Sequence, residues 1–181
     1  MKSDITAELL LLKTLVGAAF GFKLRKIASR KEFRAIPENP FIYTVGGEHD
    51  ADYPSLLNAA FKATEHGYRV FILPNPHGIK TADFIFERCG VYKLFDLKNI
   101  SGKNTVFTRL QESADQANRA ILNMPSGYKT RLLAADIKNY FEFNDKALEV
   151  LIFKGRRELS VYRRFALSKR FYAEFKKLYE R

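Results

Sequence analysis

The chain has 181 residues, 46% hydrophobic and 14% aromatic, with 31 Lys and Arg against 20 Asp and Glu. That length and composition exclude a disordered chain and predict one compact domain with additions and a core rich in Phe. The formal net charge of +11 favours a polyanionic partner, nucleic acid or an anionic membrane surface, and the lone Cys89 excludes an intramolecular disulfide or a cysteine-based zinc cluster.

From Thr6 to about Arg34 the pattern predicts a helix, apolar at first and basic at its end, with Asp4 as N-cap. The apolar run at 9–22 is too short to span a bilayer and is interrupted by Lys13, which predicts a buried helix, with no signal peptide and no membrane insertion. A cytoplasmic protein is therefore expected. The two prolines of "IPENP" (36–40) mark a boundary between an N-terminal helical appendage, 1–40, and a main domain, 41–181.

A helix is predicted from Pro54 to His66, stopped by Gly67, followed by a strand at 68–74 closed by Pro74 and Pro76. Two strands flank Cys89-Gly90. Next come a helix from about Thr105 to Ala120, a short apolar run "AILNM", a helix near Tyr128 to Phe143, a strand at 147–154 and a long basic helix. Residues 154–181 hold ten Lys and Arg but three Glu, with Tyr162, Phe165, Tyr172, Phe175 and Tyr179 as a core-facing stripe and the cations either tracking phosphates or forming a solvated basic face, an amphipathic membrane helix being the third reading.

The stretch "ADFIFERCGVYKLFDLK" (82–98) carries the chemistry. Alternation puts Val91, Lys93, Phe95 and Leu97 on one side of the second strand, and Tyr92, Leu94, Asp96 and Lys98 on the other. Both faces are apolar at first, which predicts a central strand covered on both sides. A two-residue turn at Cys89-Gly90 sets Arg88 against Val91, and counting outward sets Asp83 opposite Asp96. Carboxylates about 5 Å apart repel unless a cation lies between them. A divalent metal fits this pair: Mg²⁺ or Mn²⁺, with Zn²⁺ as the alternative. The Leu97 carbonyl is placed as a further ligand, and Lys98 lies two residues along the same face as Asp96. Such a set suits phosphodiester hydrolysis, with Lys98 orienting or deprotonating water or neutralising developing charge.

The residues "TADF…LFDLK", with helix and strand before and after, resemble the PD-(D/E)xK nuclease superfamily. Over roughly residues 45–125 the chain is similar to C-terminal tRNA-nuclease domains of contact-dependent growth-inhibition toxins, and to related nuclease domains of mobile elements. The resemblance runs through Gly46-Gly47-Glu48-His49, Ala59 to Pro74, Lys80 and Asp83, Asp96-Leu97-Lys98, and Gln116. It implies an α/β fold with a restriction-endonuclease-like core, a mixed central sheet flanked by helices on both faces. It also implies Glu48, Asp83 and Asp96 as metal-site acids, Lys98 as the catalytic lysine and Gln116 as support. RNA, tRNA included, is the implied substrate, with an immunity protein as partner and delivery into a target cell. The last acid is Asp96 where Glu is commoner, and Ala82 stands where the superfamily has its proline.

Simpler roles stand beside these. Glu48 could favour the dipole of the following helix, Asp83 could be solvated at a strand end, and Asp96 with Lys98 could form an ion pair. Gln116 fits a helix surface, His49 and His77 solvent-facing loops, and His66 a helix end. The rival functions are a DNA endonuclease of the same fold and a non-catalytic nucleic-acid-binding protein of a phage or mobile element.

Overall fold

The computed structural model describes residues 5–46, 51–75, 79–102 and 106–181. Asp4, Glu48, His49, His77 and Thr105, all assigned roles or boundaries above, lie outside the described residues. The chain divides into two compact units, Met1–Asp96 and Leu97–Arg181, with the division inside one strand.

The first unit begins with α1 (Ile5–Leu11), a single 3₁₀ turn (Leu12–Thr14) and α2 (Gly17–Ala28). The single helix expected from 6 to 34 is thus broken twice. Leu15 is extended and Gly17 has φ +60°, so the backbone leaves helical geometry between the two helices. Beyond Ser29 the residues expected to finish the helix instead form β1 (Phe33–Ile36), which pairs antiparallel with β2 (Asn39–Val45). Residues 37–38 are the turn of this hairpin, with Ile36 opposite Asn39 and a register shift at Ala35/Ile36. The expected appendage, 1–40, therefore contributes a strand to the same sheet as residues 41–45.

Tyr53–Glu65 form α3, with Pro54 in the first turn where its missing N–H costs nothing. Its small face, Ala59, Ala60 and Ala63, is fully buried and lets the helix lie close on its neighbours β2 and β3 (Arg69–Ile72). β2 and β3 run parallel, as a crossover through a helix requires. β3 pairs antiparallel with β4 (Phe84–Arg88), which pairs antiparallel with β5 (Val91–Asn99).

The β4–β5 turn is the two-residue turn expected. Cys89 has φ +52° and Gly90 φ +79°, the twist that matches flanking strands. Cys89 is the non-glycine residue with positive φ among those described, and it is exposed. Cys89→Asn, which tolerates this conformation better, is expected to stabilise the protein by up to about 1 kcal/mol. Urea unfolding of the two proteins checks this, and a lower midpoint in the variant refutes it.

The hairpin is held by more than its ladder. Arg69 Nε donates to Glu87 Oε2 (2.5 Å), and the Gly90 N–H donates to Glu87 Oε1 (2.6 Å). Burial works to raise the Glu87 carboxyl, but the Arg69 hydrogen bond, the Gly90 N–H and the Arg69 charge outweigh it and hold the group below the usual carboxylate range. A depressed carboxylate contributes stability above its unfolded pKa, about 4.3, which is lost as pH falls through the lower folded value. The fall in Tm between about pH 5 and pH 3 is therefore expected to be shallower in Glu87→Gln than in the parent protein. Parallel curves would exclude this role for Glu87.

Phe supplies the interior of this unit, as composition predicted. Phe84, Phe86 and Phe95 are fully buried on one face of the β4–β5 hairpin, with ring centroids 5.3 Å and 5.0 Å apart along the series, and Tyr68 adds a ring 5.2 Å from Phe86. The other face carries Phe71, Ile85 and Leu94, also buried. Both faces of the hairpin are thus covered.

In the second unit, α4 (Val106–Ser113) leads to β6 (Arg119–Met124), and α5 (Thr130–Phe143) to β7 (Glu149–Lys154). β6 and β7 are parallel. One face of the strands presents Ala120, Leu122, Met124, Val150 and Ile152 to a cluster built by Leu110, Leu133, Ile137, Tyr140 and Phe141 of the helices.

The long C-terminal helix expected after residue 154 is replaced by three elements. Gly155 (φ +59°) turns the chain into β8 (Arg157–Tyr162), antiparallel to β7, followed by α6 (Arg163–Ala166) and α7 (Phe171–Glu180). The aromatic stripe is accordingly split. Phe171, Phe175 and Tyr179, spaced by four along α7, are buried, Phe165 is half-buried, and Tyr162 and Tyr172 are exposed.

On the opposite face of β6 to β8, Glu149 is fully buried. It takes Arg119 Nε on Oε2 (3.2 Å) and the Ser160 hydroxyl on Oε1 (2.9 Å). The architecture is mixed α/β, with parallel and antiparallel strand pairs in each unit and helices packed on the strands.

Candidate functional site

The β4–β5 register is the one counted from the turn. Arg88 faces Val91, and the pairing continues outward to Phe84 opposite Phe95. The next step of that count sets Asp83 against Asp96. At Asp83 the chain bends, and its N–H donates to the Phe95 carbonyl (3.0 Å), one residue short of the count. On the other side the Asp83 carbonyl accepts from the Leu73 N–H (2.8 Å), continuing the β3–β4 register. Its backbone is therefore clamped between two strands. A ladder that steps in this way re-aims the side chain at the step, a device common beside active sites. Asp83 is half-buried.

Asp96 is 1% exposed, fully enclosed on β5. Alternation puts it on the face of Leu94 and Ile85, and puts Lys98, half-buried, next on that face. Placing a carboxylate this deep costs several kcal/mol unless hydrogen bonds, a cation or a metal compensate it, which is the usual signature of a functional acid. The Leu97 carbonyl lies between the two charged residues on β5, whose bounds include all three. Two carboxylates and a backbone carbonyl would make a hard oxygen donor set, of the kind that suits Mg²⁺ or Mn²⁺ better than Zn²⁺. Among the described residues no group of three or more His, Cys, Asp or Glu gathers as a metal cluster.

Gln116 differs from expectation. α4 ends at Ser113, so Gln116 lies in the turn beyond it rather than on the helix. Its Nε2 donates to the Glu112 carbonyl (3.1 Å) and its N–H to the Ser113 carbonyl (2.9 Å), both satisfying carbonyls left open at the helix end. The glutamine within α4 is Gln111.

Sequence reasoning missed one polar pair beside Lys98. Asn123 Nδ2 on β6 donates to Asn99 Oδ1 (3.0 Å), and the Ile100 N–H donates to the Asn123 carbonyl (3.1 Å). The partners are 24 residues apart, so no local pattern pairs them. Only the asparagine inside the apolar run "AILNM" hinted at it. His66, read as a helix-end residue, is the C-cap of α3.

Among the described residues no helix is long and apolar enough to cross a membrane. No curated protein matches the chain significantly in sequence. Among solved structures, the chain is similar to one in a CdiA-CT/CdiI toxin and immunity complex from Burkholderia pseudomallei, at 17% identity and a TM-score of 0.45, over 74% of this chain and 97% of that one. Residues 80–159, the span that contains Asp83, Asp96 and Lys98, match the family model of the contact-dependent growth inhibition CdiA C-terminal domain.

Proposed function

We propose that this chain is a metal-dependent nuclease that hydrolyses phosphodiester bonds of RNA, tRNA among them, and acts as the toxic domain of a growth-inhibition system. The observation that carries the reading is the β4–β5 hairpin. It brings Asp83 alongside the Phe95–Asp96 step and puts Lys98 on the face of the buried Asp96. The family match over this hairpin supports the toxin class. The restriction-endonuclease-like core belongs to the same proposal.

In this reading Asp83, Asp96 and the Leu97 carbonyl hold the ion, with Glu48 as a further acid. The ion, when bound, would polarise the phosphate and acidify water. Lys98 presents an ammonium where charge builds on the phosphate oxygens, or takes the proton of the attacking water. The net charge of +11 draws the polyanionic substrate and suits an acidic immunity protein.

The test is incubation of the purified chain with total tRNA and, separately, plasmid DNA, with Mg²⁺ or Mn²⁺ and with EDTA. Metal-dependent loss of tRNA is the expected result. Cleavage of plasmid alone would make the chain a DNA endonuclease, and intact nucleic acid in every lane with folded protein would refute the nuclease.

A further inference from the structure

A groove of about 1000 Å³ opens in the second unit between the start of α5 and the outer face of α7. Its lining includes four small residues, Gly127, Ala134, Ala135 and Ala173, which leave room beside them. Around it stand Lys129, Arg131 and Lys176, all exposed, against one carboxylate, Glu180. Glu180 is engaged by the Thr130 hydroxyl (2.9 Å). Among the described residues no hydrogen bond or ion pair joins a side-chain acid to any of the three cations.

This charge placement opposes local stability. Lys129 is the N-cap of α5 and Arg131 is in its first turn, which holds no acid, so both cations face the positive end of the helix. A fold that tolerates that repulsion beside a concave surface presents a strong positive potential to whatever enters it. Two aromatic residues line the same groove, Tyr128 and Tyr172. Tyr172 is 45% exposed, and Lys138 Nζ lies 5.4 Å from its ring centroid. Cations spaced along a groove beside a partly exposed aromatic ring are the combination that holds single-stranded nucleic acid, phosphates on the cations and a base on the ring. A membrane surface would want a convex apolar face instead.

We propose that this groove binds a single-stranded segment of RNA, with Lys129, Arg131 and Lys176 on phosphates and Tyr172 stacked on a base. The proposal deepens the RNA reading above and rests on it for the substrate class. Binding is measured by fluorescence anisotropy of a labelled twelve-nucleotide oligouridylate in EDTA, so that cleavage does not intervene. The combined variant Lys129→Ala, Arg131→Ala, Lys176→Ala is expected to weaken binding at least about tenfold and to flatten the salt dependence by about 0.7 per lost contact. Tyr172→Ala is expected to weaken it about tenfold while Tyr172→Phe retains it, since stacking needs the ring and not the hydroxyl. Lys146→Ala, an exposed cation outside the groove, should bind like the parent protein, which separates the groove from general surface charge. If the parent protein cleaves nothing while the groove variants still lose binding, the groove stands and the nuclease reading falls. Unchanged affinity in the triple variant with Tm preserved, tighter binding of a duplex of the same length, or binding transferred to anionic vesicles would each overturn the proposal.

Discussion

Asp96→Asn is expected to lower metal-dependent cleavage of tRNA by about a thousandfold or more, because it removes the charge of the deepest acid in the site while keeping its shape. Asp96 is 1% exposed on β5, and Asp83 is held beside it by main-chain bonds to both Leu73 and Phe95, so neither acid has a nearby substitute among the described residues. Lys98→Ala should cost about 10²- to 10⁴-fold, the range for a positioned proton donor or acceptor, with Lys98→Arg recovering part of it if the role is purely electrostatic. Because Asp96 is buried, each variant is paired with a thermal melt. A cleavage loss with Tm within a few degrees of the parent supports the assignment. Full activity in Asp96→Asn sinks it, and equal losses of activity and stability reduce Asp96 and Lys98 to a structural ion pair.

The second large effect concerns folding. Glu149→Ala is expected to destabilise the protein by about 3 kcal/mol, since it leaves the half-buried Arg119 opposite no carboxylate. Glu149 is fully enclosed and binds both Arg119 on β6 and Ser160 on β8, so a single side chain ties the central strand β7 to both neighbours. Burial pushes the Arg119 guanidinium down and the Glu149 charge pushes it back up. Its ordinary value is so high that it stays charged, which is why removal of the acid is costly. Glu149→Gln, which still accepts from Ser160 and Arg119, should lose clearly less than Glu149→Ala. Denaturant unfolding measures both, and a change below about 1 kcal/mol in Glu149→Ala would show that solvent reaches the arginine.

Where the determinants were local, the sequence was sufficient. Pro54 and Gly67 bracketed α3 because one suits a first helical turn and the other a stop. Cys89-Gly90 fixed the β4–β5 turn, and period-two alternation then fixed the register out to Phe84 and Phe95. The two acids and Lys98 could be proposed as a set from that register alone. The strand inside "AILNM" was visible as an apolar run, although its parallel partner, β7, lies 30 residues away.

Tertiary structure decided what depends on partners far apart in sequence. Basic, polar residues 157–162 read as part of a helix, yet they form β8 because β7 offers an open ladder and Glu149 accepts Ser160. Residues 33–36 leave the helical pattern because β2 pairs with them. Gln116 left the helix when its amide satisfied a carbonyl at the end of α4, and Asp83 acquired its bend because β3 and β5 each claim part of its backbone. The groove that gathers Lys129, Arg131, Tyr172 and Lys176 joins two helices some 40 residues apart, which no periodicity in the chain could bring together. Composition and alternation set the elements and their faces, since those depend on neighbours one to four positions away. Which charges meet, and around what space, was left to packing, because opposing side chains are chosen by the fold and not by spacing along the chain.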